Sequence, residues 1–305
     1  MVEAKRLGLA LSAAIAALMV VVVATFWSGQ QRGDTHRGPI PPMKAAGQLT
    51  TYDDYAQVLE TYVDEDGLVD YQSLKENRRQ LDRFIAGLAT FDPSICQRWT
   101  DRDWLAFWTN VYNAITLRSI IDNYPIRPSL FRNVFWPGNS VRQIDGVWDG
   151  VRWVVMGESL TLDDIAHRII RGRYNEPRVH AALVFAADSS PPLRNEPYRG
   201  QELEKQLDDQ MRRFLASDAG FRINRSRDIV YLSRIFLWYS QDFTKAYDAD
   251  ERFAGFSEEE RVVLQLILPY LDEEDQQYLL ENDFSLRYLY YDWSLNERSA
   301  VAEEA

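Results

Sequence analysis

The sequence predicts an α+β fold in which a mostly antiparallel sheet is flanked by helices, behind one N-terminal transmembrane helix. Strand-like and helix-like segments alternate without the regular spacing of βαβ units, and no repeat period is visible. Hydrophobic residues make up 46% of the 305 residues, which is enough for a sizeable core in one large domain. These observations exclude a disordered chain and a repeat protein.

The first element is the charge-free stretch from Leu7 to Trp27, which follows Lys5 and Arg6. As a helix it would be about 30 Å long, the thickness of the hydrocarbon core of a bilayer. A cleavable signal peptide is the alternative, but its apolar region is usually only about 7–15 residues long and ends in small residues. Because this stretch ends in bulky Phe26 and Trp27, we expect an uncleaved signal anchor. The protein is then a single-pass membrane protein with an extracytoplasmic domain.

A polar stretch follows the predicted anchor. Residues 28–47 contain Gly, Pro and Gln with few apolar side chains, which is typical of a solvated tether. The expected boundaries are 1–6 for a cytoplasmic N-terminus, 7–27 for the anchor, 28–47 for the tether, 48–298 for the globular domain and 299–305 for a disordered tail.

Charge and cysteine content limit the partners and cofactors. The formal net charge of −12 disfavours nucleic acid and anionic membrane surfaces, since both attract Lys/Arg patches. Cys96 is the single cysteine, so an intrachain disulfide is impossible. The three histidines show neither a His-Glu-x-x-His nor a Cys/His spacing. We therefore expect no metal site and no cofactor.

Helix-start signals define the first half of the domain. Residues 52–62 have a helical pattern, and a Gly-containing hairpin turn follows at Gly67. Thr100 and Asp103 form a capping-box-like start to a helix that ends near Ile121. Apolar residues cover more than one face of this helix, so we expect it in the middle of the protein.

Two further segments are predicted as β-structure. Residues 141–148 and 151–156 flank Asp149-Gly150, which is a type I′ hairpin signal. Residues 179–187, which follow Arg178, are continuously apolar apart from His180, as expected for a strand that is covered on both faces. Between them, Thr161 and Asp164 predict the start of a short helix.

The C-terminal part alternates helices and strands. The predicted helices cover residues 202–215 and 234–243, with two more capped at Ser257 and Asp272, and the predicted strands cover residues 229–232 and 284–291. Because the last strand alternates large side chains on one face, we expect it to join the sheet.

The segment Asp188-Ser189-Ser190-Pro191-Pro192 has the form of an active-site rim. One hypothesis is acyl transfer or hydrolysis with Ser190 as nucleophile and His180 or His167 as base, because a serine hydroxyl needs a base within hydrogen-bond reach. The groups available to orient the base are Asp188, Asp164, Asn110 and Asn113. The two prolines leave no helix N-terminus directly behind Ser190 to stabilise an oxyanion.

A second hypothesis is a non-catalytic groove that binds an anion, because paired arginines suit bidentate recognition of carboxylate or phosphate. The residues expected to bind in such a cleft are Asn110, Asn113, Arg171, Asp188 and Arg194, with the two histidines beside them. A third interpretation is structural: His180 donates to a core carbonyl and Arg194 pairs with an acid such as Asp242. The two asparagines would then tie down neighbouring loops.

Six stretches of the domain, taken in order, carry a family resemblance. They are residues 104–114, 160–171, 177–184, 190–194, 232–239 with Asp242-Phe243, and 291–296. Together they resemble the bacterial and plant family catalogued as domain of unknown function 547. The resemblance implies an exported or lipid-anchored protein, and loosely a papain-like or transglutaminase-like enzyme.

The chain departs from that family at positions that bear on chemistry. Members commonly carry Glu-His where this chain has Ala166-His167, and cysteines where it has Phe185 and Ser190. The resemblance therefore implies that a thiol nucleophile is lost here or is exchanged for Ser190.

These features predict a membrane-anchored extracytoplasmic module that binds or scaffolds in the cell envelope. The expected partners are the membrane, through the N-terminal helix, and an anionic small molecule or an envelope protein, but no nucleic acid. The alternative is a hydrolase or acyltransferase with Ser190 in place of a family cysteine and His180 or His167 as base.

Overall fold

Helices form most of the regular structure. The computed structural model describes residues 52–249 and 251–298, which all belong to one compact unit. In chain order the helices are α1 (Asp53–Tyr62), α2 (Tyr71–Glu76), α3 (Arg79–Thr90), α4 (Asp101–Asn123), the π-helical α5 (Asp164–Ile170), α6 (Arg171–Arg173), α7 (Leu203–Ala216), α8 (Arg234–Trp238), α9 (Ser240–Ala246), α10 (Glu258–Ile267) and α11 (Glu273–Glu281).

The strands form two small sheets. The first is antiparallel and two-stranded, with β1 (Trp153–Val155) against β2 (Glu158–Leu160). In the second, β4 (Ile229–Leu232) lies between β3 (Phe221–Asn224), to which it is antiparallel, and β5 (Ser285–Tyr288), to which it is parallel. The predicted α+β class is confirmed, and the predicted last strand joins a sheet. The sheets are smaller than expected because much of the apolar sequence is in helices and irregular segments.

The long helix α4 runs through the core, as predicted. Thr100 Oγ1 accepts from the Asp103 backbone N–H, and the Asp103 carboxylate accepts from the Thr100 N–H, so the capping box is confirmed. Nearly every side chain from Leu105 to Ile121 is buried, polar ones included. Such a helix is surrounded by the rest of the domain.

The predicted strand at residues 179–187 is wrong. Pro177–Ala181 form a 3₁₀ helix that begins with a proline, and the chain beyond it is irregular. The Ala182 carbonyl and the Val184 N–H are both bonded by the side chain of Asn113, at 2.9 and 3.0 Å. Because this side chain satisfies the buried backbone groups, the apolar run needs no neighbouring strand.

The predicted hairpin at Asp149-Gly150 is also wrong. A hairpin is present later in the chain instead. The turn between β1 and β2 is formed by Met156 and Gly157, whose φ angles of 52° and 77° suit a type I′ turn. Around the predicted position, the Gly146 carbonyl instead accepts from the N–H groups of Gly150 and Val151, which closes a compact loop.

Local signals elsewhere agree with the structure, with one exception. The turn at Gly67 is confirmed by the antiparallel bridge between Val63 and Val69. Ser257 caps α10 and Asp272 caps α11, as predicted. The predicted helix 234–243 is interrupted at Tyr239, which separates α8 from α9.

The predicted N-terminal anchor, residues 7–27, lies outside the described residues. None of the helices within residues 52–249 and 251–298 is both long and apolar enough to cross a membrane.

Candidate functional site

Asp242, on α9, is the centre of a charged network with Arg171, His180 and His167. Its Oδ2 is 2.7 Å from His180 Nε2 and 2.5 Å from Arg171 Nε, and its Oδ1 accepts from Arg171 Nη2 at 3.0 Å. Arg171 Nη1 also donates to His167 Nδ1 at 2.7 Å, one helical turn away. The Asp242 carboxylate therefore brings together Arg171, His180 and His167, which are all predicted site residues. The sequence suggested Asp242 only as a partner of Arg194. We call these four residues the Asp242 network.

Burial and charge fix the protonation states of the Asp242 network. Burial alone would raise the pKa of Asp242, but hydrogen bonds from His180 and Arg171 outweigh it and hold that pKa well below its usual value. Burial lowers the pKa of His180 despite the opposing effect of Asp242. His180 is therefore neutral at pH 7, and its Nε2–H donates to the ionised carboxylate. Nδ1, which has no hydrogen-bond partner among the described residues, keeps its lone pair.

Aromatic rings cover the buried histidine. Tyr239 stacks on the imidazole of His180 with ring centroids 3.9 Å apart, and Arg171 lies 5.0 Å from the centroid of the same tyrosine. A cleft of about 10 Å³ beside His180 and Asp242 is also bordered by Lys245. That volume holds about one water molecule, so a ligand can enter here only if side chains move.

Ser190 is held by its own hydrogen bonds. Its Oγ accepts from the N–H groups of Phe185 and Ala187 at 3.1 and 3.2 Å and lies 3.2 Å from the Tyr291 hydroxyl. Because the two amides use both lone pairs, the serine proton is directed to Tyr291. Neither His180 nor any other histidine is among its partners in the described part of the chain.

The two asparagines on α4 bond to backbone groups of distant segments. Asn110 donates to the Tyr198 carbonyl and accepts from its N–H, at 2.8 and 2.9 Å. Asn113 binds residues 182–184 in the same two-point way. Each amide thus uses one N–H and its oxygen in these contacts, which fix the chain on either side of Ser190.

Arg194 and Asp188 contact residues outside the Asp242 network. Arg194 pairs with acids, as the structural interpretation expected, but they are Asp209 and, at 2.7 Å, Glu196 rather than Asp242. Asp188 borders a cavity of about 250 Å³ together with Ser190, Pro191 and Pro192. Burial and the nearby Asp292 raise the pKa of Asp188. The rim segment thus opens on a cavity of its own.

Arg142, which the sequence did not single out, lies among three tryptophans. Its guanidinium carbon is 4.0, 4.8 and 5.0 Å from the ring centroids of Trp293, Trp136 and Trp148. Ser140 forms a bridge with Ser294, which brings the Trp293 segment alongside. We call these three rings the tryptophan cluster.

The guanidinium of Arg142 has no polar partner in the described part of the chain. It makes no ion pair or side-chain hydrogen bond within the described residues, and its Nε is buried. Burial lowers its pKa from the usual arginine value. This contrasts with Arg171, Arg178 and Arg194, which each hold at least one carboxylate.

The tryptophan cluster and the Asp242 network meet at two adjacent residues. Trp238 stacks on Trp293 at 5.9 Å and lies 4.8 Å from Tyr291, the partner of Ser190. Its neighbour Tyr239 stacks on His180. The junction between α8 and α9 therefore joins the histidine, the serine and Arg142 into one region. Within the described residues, no group of three or more histidine, cysteine or acidic side chains is arranged to hold a metal ion.

Comparison with known proteins identifies a family but not a function. No curated protein matches the chain, and no solved structure does. The model of a family described as a protein of unknown function, DUF547, matches residues 96–215, which contain Asn110, Asn113, Arg142, His167, Arg171, His180 and Ser190. The resemblance seen in the sequence is thus confirmed over this segment.

Proposed function

We propose that the domain binds an anionic ligand at Arg142 and that it does so as a membrane-anchored module of the cell envelope. The observation that carries the binding proposal is a half-buried guanidinium with no counter-charge among the described residues. Aromatic rings offset only part of the cost of removing a cation from water, and an incoming carboxylate or phosphate would supply the missing counter-charge. Guanidinium groups bind both anions in a planar, two-point geometry.

The tryptophan cluster supports a ligand with a flat apolar part. Trp293 is almost fully buried, whereas Trp136 and Trp148 are partly exposed and Trp238, at the edge, is 42% exposed. Aromatic faces contribute apolar contact area and prefer offset or edge-on partners. We therefore infer an aromatic or otherwise planar anion as the ligand class.

The binding proposal is tested with four probes on the full chain in mild detergent: acetate, benzoate, inorganic phosphate and phenyl phosphate. We expect benzoate or phenyl phosphate to raise the melting temperature and quench tryptophan fluorescence more than acetate or inorganic phosphate does. Arg142→Gln should abolish this response. The matched control is Arg222→Gln, since Arg222 also lies over an aromatic ring, at 5.0 Å from the centroid of Tyr231, but is exposed. Equal responses in the wild type and Arg142→Gln would refute the proposal.

The anchor is supported by the sequence from Leu7 to Trp27 and the basic pair Lys5 and Arg6 before it. In a bacterial host, the full chain should stay with the membrane after carbonate extraction. Protease added to spheroplasts should degrade the domain. Release by carbonate contradicts the anchor, and protection from protease contradicts the extracytoplasmic location.

A second candidate is hydrolysis or acyl transfer with Ser190 as nucleophile, and the His180–Asp242 pair favours it. A neutral imidazole that is oriented by a carboxylate and keeps one free lone pair is suited to be a general base. The candidate also agrees with the papain-like or transglutaminase-like character that the resemblance implies. Against it, Ser190 Oγ is bonded to two amides and Tyr291 rather than to a histidine.

Fluorophosphonate labelling distinguishes this candidate from binding alone. If Ser190 is a nucleophile, the wild type is labelled, Ser190→Ala is not, and His180→Ala is labelled much more slowly. Equal labelling of the wild type and Ser190→Ala rules the candidate out, and it leaves the Arg142 proposal unaffected.

A further inference from the structure

Residues 130–135, which we call the apolar loop, expose four large hydrophobic side chains. Leu130 is 91% exposed, Phe131 85%, Val134 76% and Phe135 65%. Single exposed apolar residues are ordinary on protein surfaces, but a contiguous group of this size usually marks an interaction site. Side chains that are so exposed project outward, so they form a protrusion rather than a groove.

The apolar loop has a defined conformation. Its centre is the 3₁₀ turn Arg132–Val134, in which Asn133 N–H donates to the Ser129 carbonyl at 2.9 Å. Gln143 secures the base of the loop, because its Oε1 accepts from Ser129 N–H and its Nε2 donates to the Trp136 carbonyl. Backbone groups at both ends of the loop are therefore bonded on the domain side, while the four apolar side chains are exposed.

The residues around the apolar loop are those that occur at membrane interfaces. Arg127 is exposed before the loop, and Arg132 within it pairs with Asp145. Trp136 follows directly and is partly exposed. Tryptophan and arginine combine an apolar body with a polar group, and both are favoured at the level of lipid headgroups.

The N-terminal sequence favours a bilayer as the occupant. Suppose that residues 7–27 form the proposed anchor and residues 28–47 the expected tether. A flexible chain of that length would have a root-mean-square end-to-end distance of only about 25 Å. The domain then stays at a high effective concentration beside the same bilayer. The net charge of −12 disfavours electrostatic attraction to anionic lipids, so the contact must depend on apolar insertion.

We propose that the apolar loop inserts into the interface of the bilayer that holds the N-terminal segment. This inference rests on the anchoring part of the proposed function and not on ligand binding at Arg142. It makes the domain a doubly attached module, with a hydrophobic wedge at residues 130–135 as the second contact. Contact with zwitterionic lipid is sufficient, and it should be insensitive to salt because it is not ionic.

The experiment uses the full chain reconstituted in phosphatidylcholine vesicles, with an environment-sensitive fluorophore attached to Phe131→Cys. The matched control is Val154→Cys on β1, where the native side chain is also exposed, at 49%. The native Cys96 is buried, so the wild type gives the background of labelling. We expect the label at position 131 to shift to the blue and to be quenched at least twofold more than that at position 154 by lipids with a doxyl group on the acyl chain.

The possible outcomes are distinct. Stronger quenching at position 131, unchanged in 0.5 M salt, supports insertion. Equal quenching at both positions, or a blue shift at position 131 without lipid quenching, overturns it; the second result would indicate a protein contact such as a second copy. A carbonate wash of the same vesicles tests the anchor separately. If the chain is retained but position 131 is not quenched, the loop proposal alone fails.

Discussion

We expect Asn113→Ala to lower the free energy of unfolding by about 2–6 kcal/mol. Asn113 is 2% exposed, and its amide makes buried hydrogen bonds of 2.9 Å to the Ala182 carbonyl and 3.0 Å from the Val184 N–H. Alanine leaves both backbone groups without a partner, and each such loss costs about 1–3 kcal/mol. A water molecule that enters the space would move the result to the lower end of this range.

The assay is chemical denaturation of the full chain in mild detergent, followed by tryptophan fluorescence. Asn123→Ala is the matched control on α4, because Asn123 is exposed and donates one bond of 2.8 Å to the Ser119 carbonyl. We expect it to change stability by less than about 0.5 kcal/mol. Asn113→Asp should be no better than alanine, since a carboxylate cannot donate to the Ala182 carbonyl. If Asn113→Ala lowers the free energy of unfolding by less than about 1 kcal/mol, this side chain does not take the place of a neighbouring strand in bonding the backbone of residues 182–184.

Three further predictions concern pH, Ser190 and Gly67. Burial lowers the pKa of His180 below 6.5, so the unfolded chain binds the proton more readily, and the free energy of unfolding should fall as the pH drops below about 6.5. Because burial also lowers the pKa of His167, the contribution of His180 is the difference between the wild type and His180→Gln in denaturation at several pH values, which should be at most about 1.4 kcal/mol per pH unit. Ser190→Ala should cost about 1–3 kcal/mol in the same assay, because the buried Ala187 N–H loses its acceptor while the Phe185 N–H is only part-buried, whereas a serine with a purely catalytic role would leave stability unchanged. Gly67→Ala should cost at least about 2 kcal/mol in thermal unfolding, because φ is +81° and the new Cβ would lie 2.5 Å from Leu193 N.

The elements that sequence predicted well are those whose signals are local. The capping residues Thr100 with Asp103, and Ser257 with Glu260, satisfy N–H groups within three positions of themselves. The partner of each cap is thus contained in the same short stretch of sequence. No tertiary information is needed to place such a helix start.

The mistaken strand at residues 179–187 shows where local signals fail. An apolar run is compatible with any element that is buried on all sides, and the choice depends on where its backbone hydrogen bonds go. Here two of them go to Asn113, which is 69 positions before Ala182 in the chain. The sequence did offer Asn113 as a residue that ties down a loop, but it could not indicate which loop.

The physical reasoning behind the anion-binding hypothesis still applies, but to Arg142 rather than to Arg171 and Arg194. At Arg171 an incoming anion would have to displace Asp242, and at Arg194 it would have to displace Asp209 or Glu196. At Arg142 it meets no competing carboxylate among the described residues. Which arginines are already neutralised is a property of the folded chain, because carboxylates such as Asp242 and Asp209 belong to other elements than the arginines that they neutralise. The one sequence signal for Arg142 is that Trp136 and Trp148 lie six positions on either side of it, a spacing that has meaning only once the loop between them is closed.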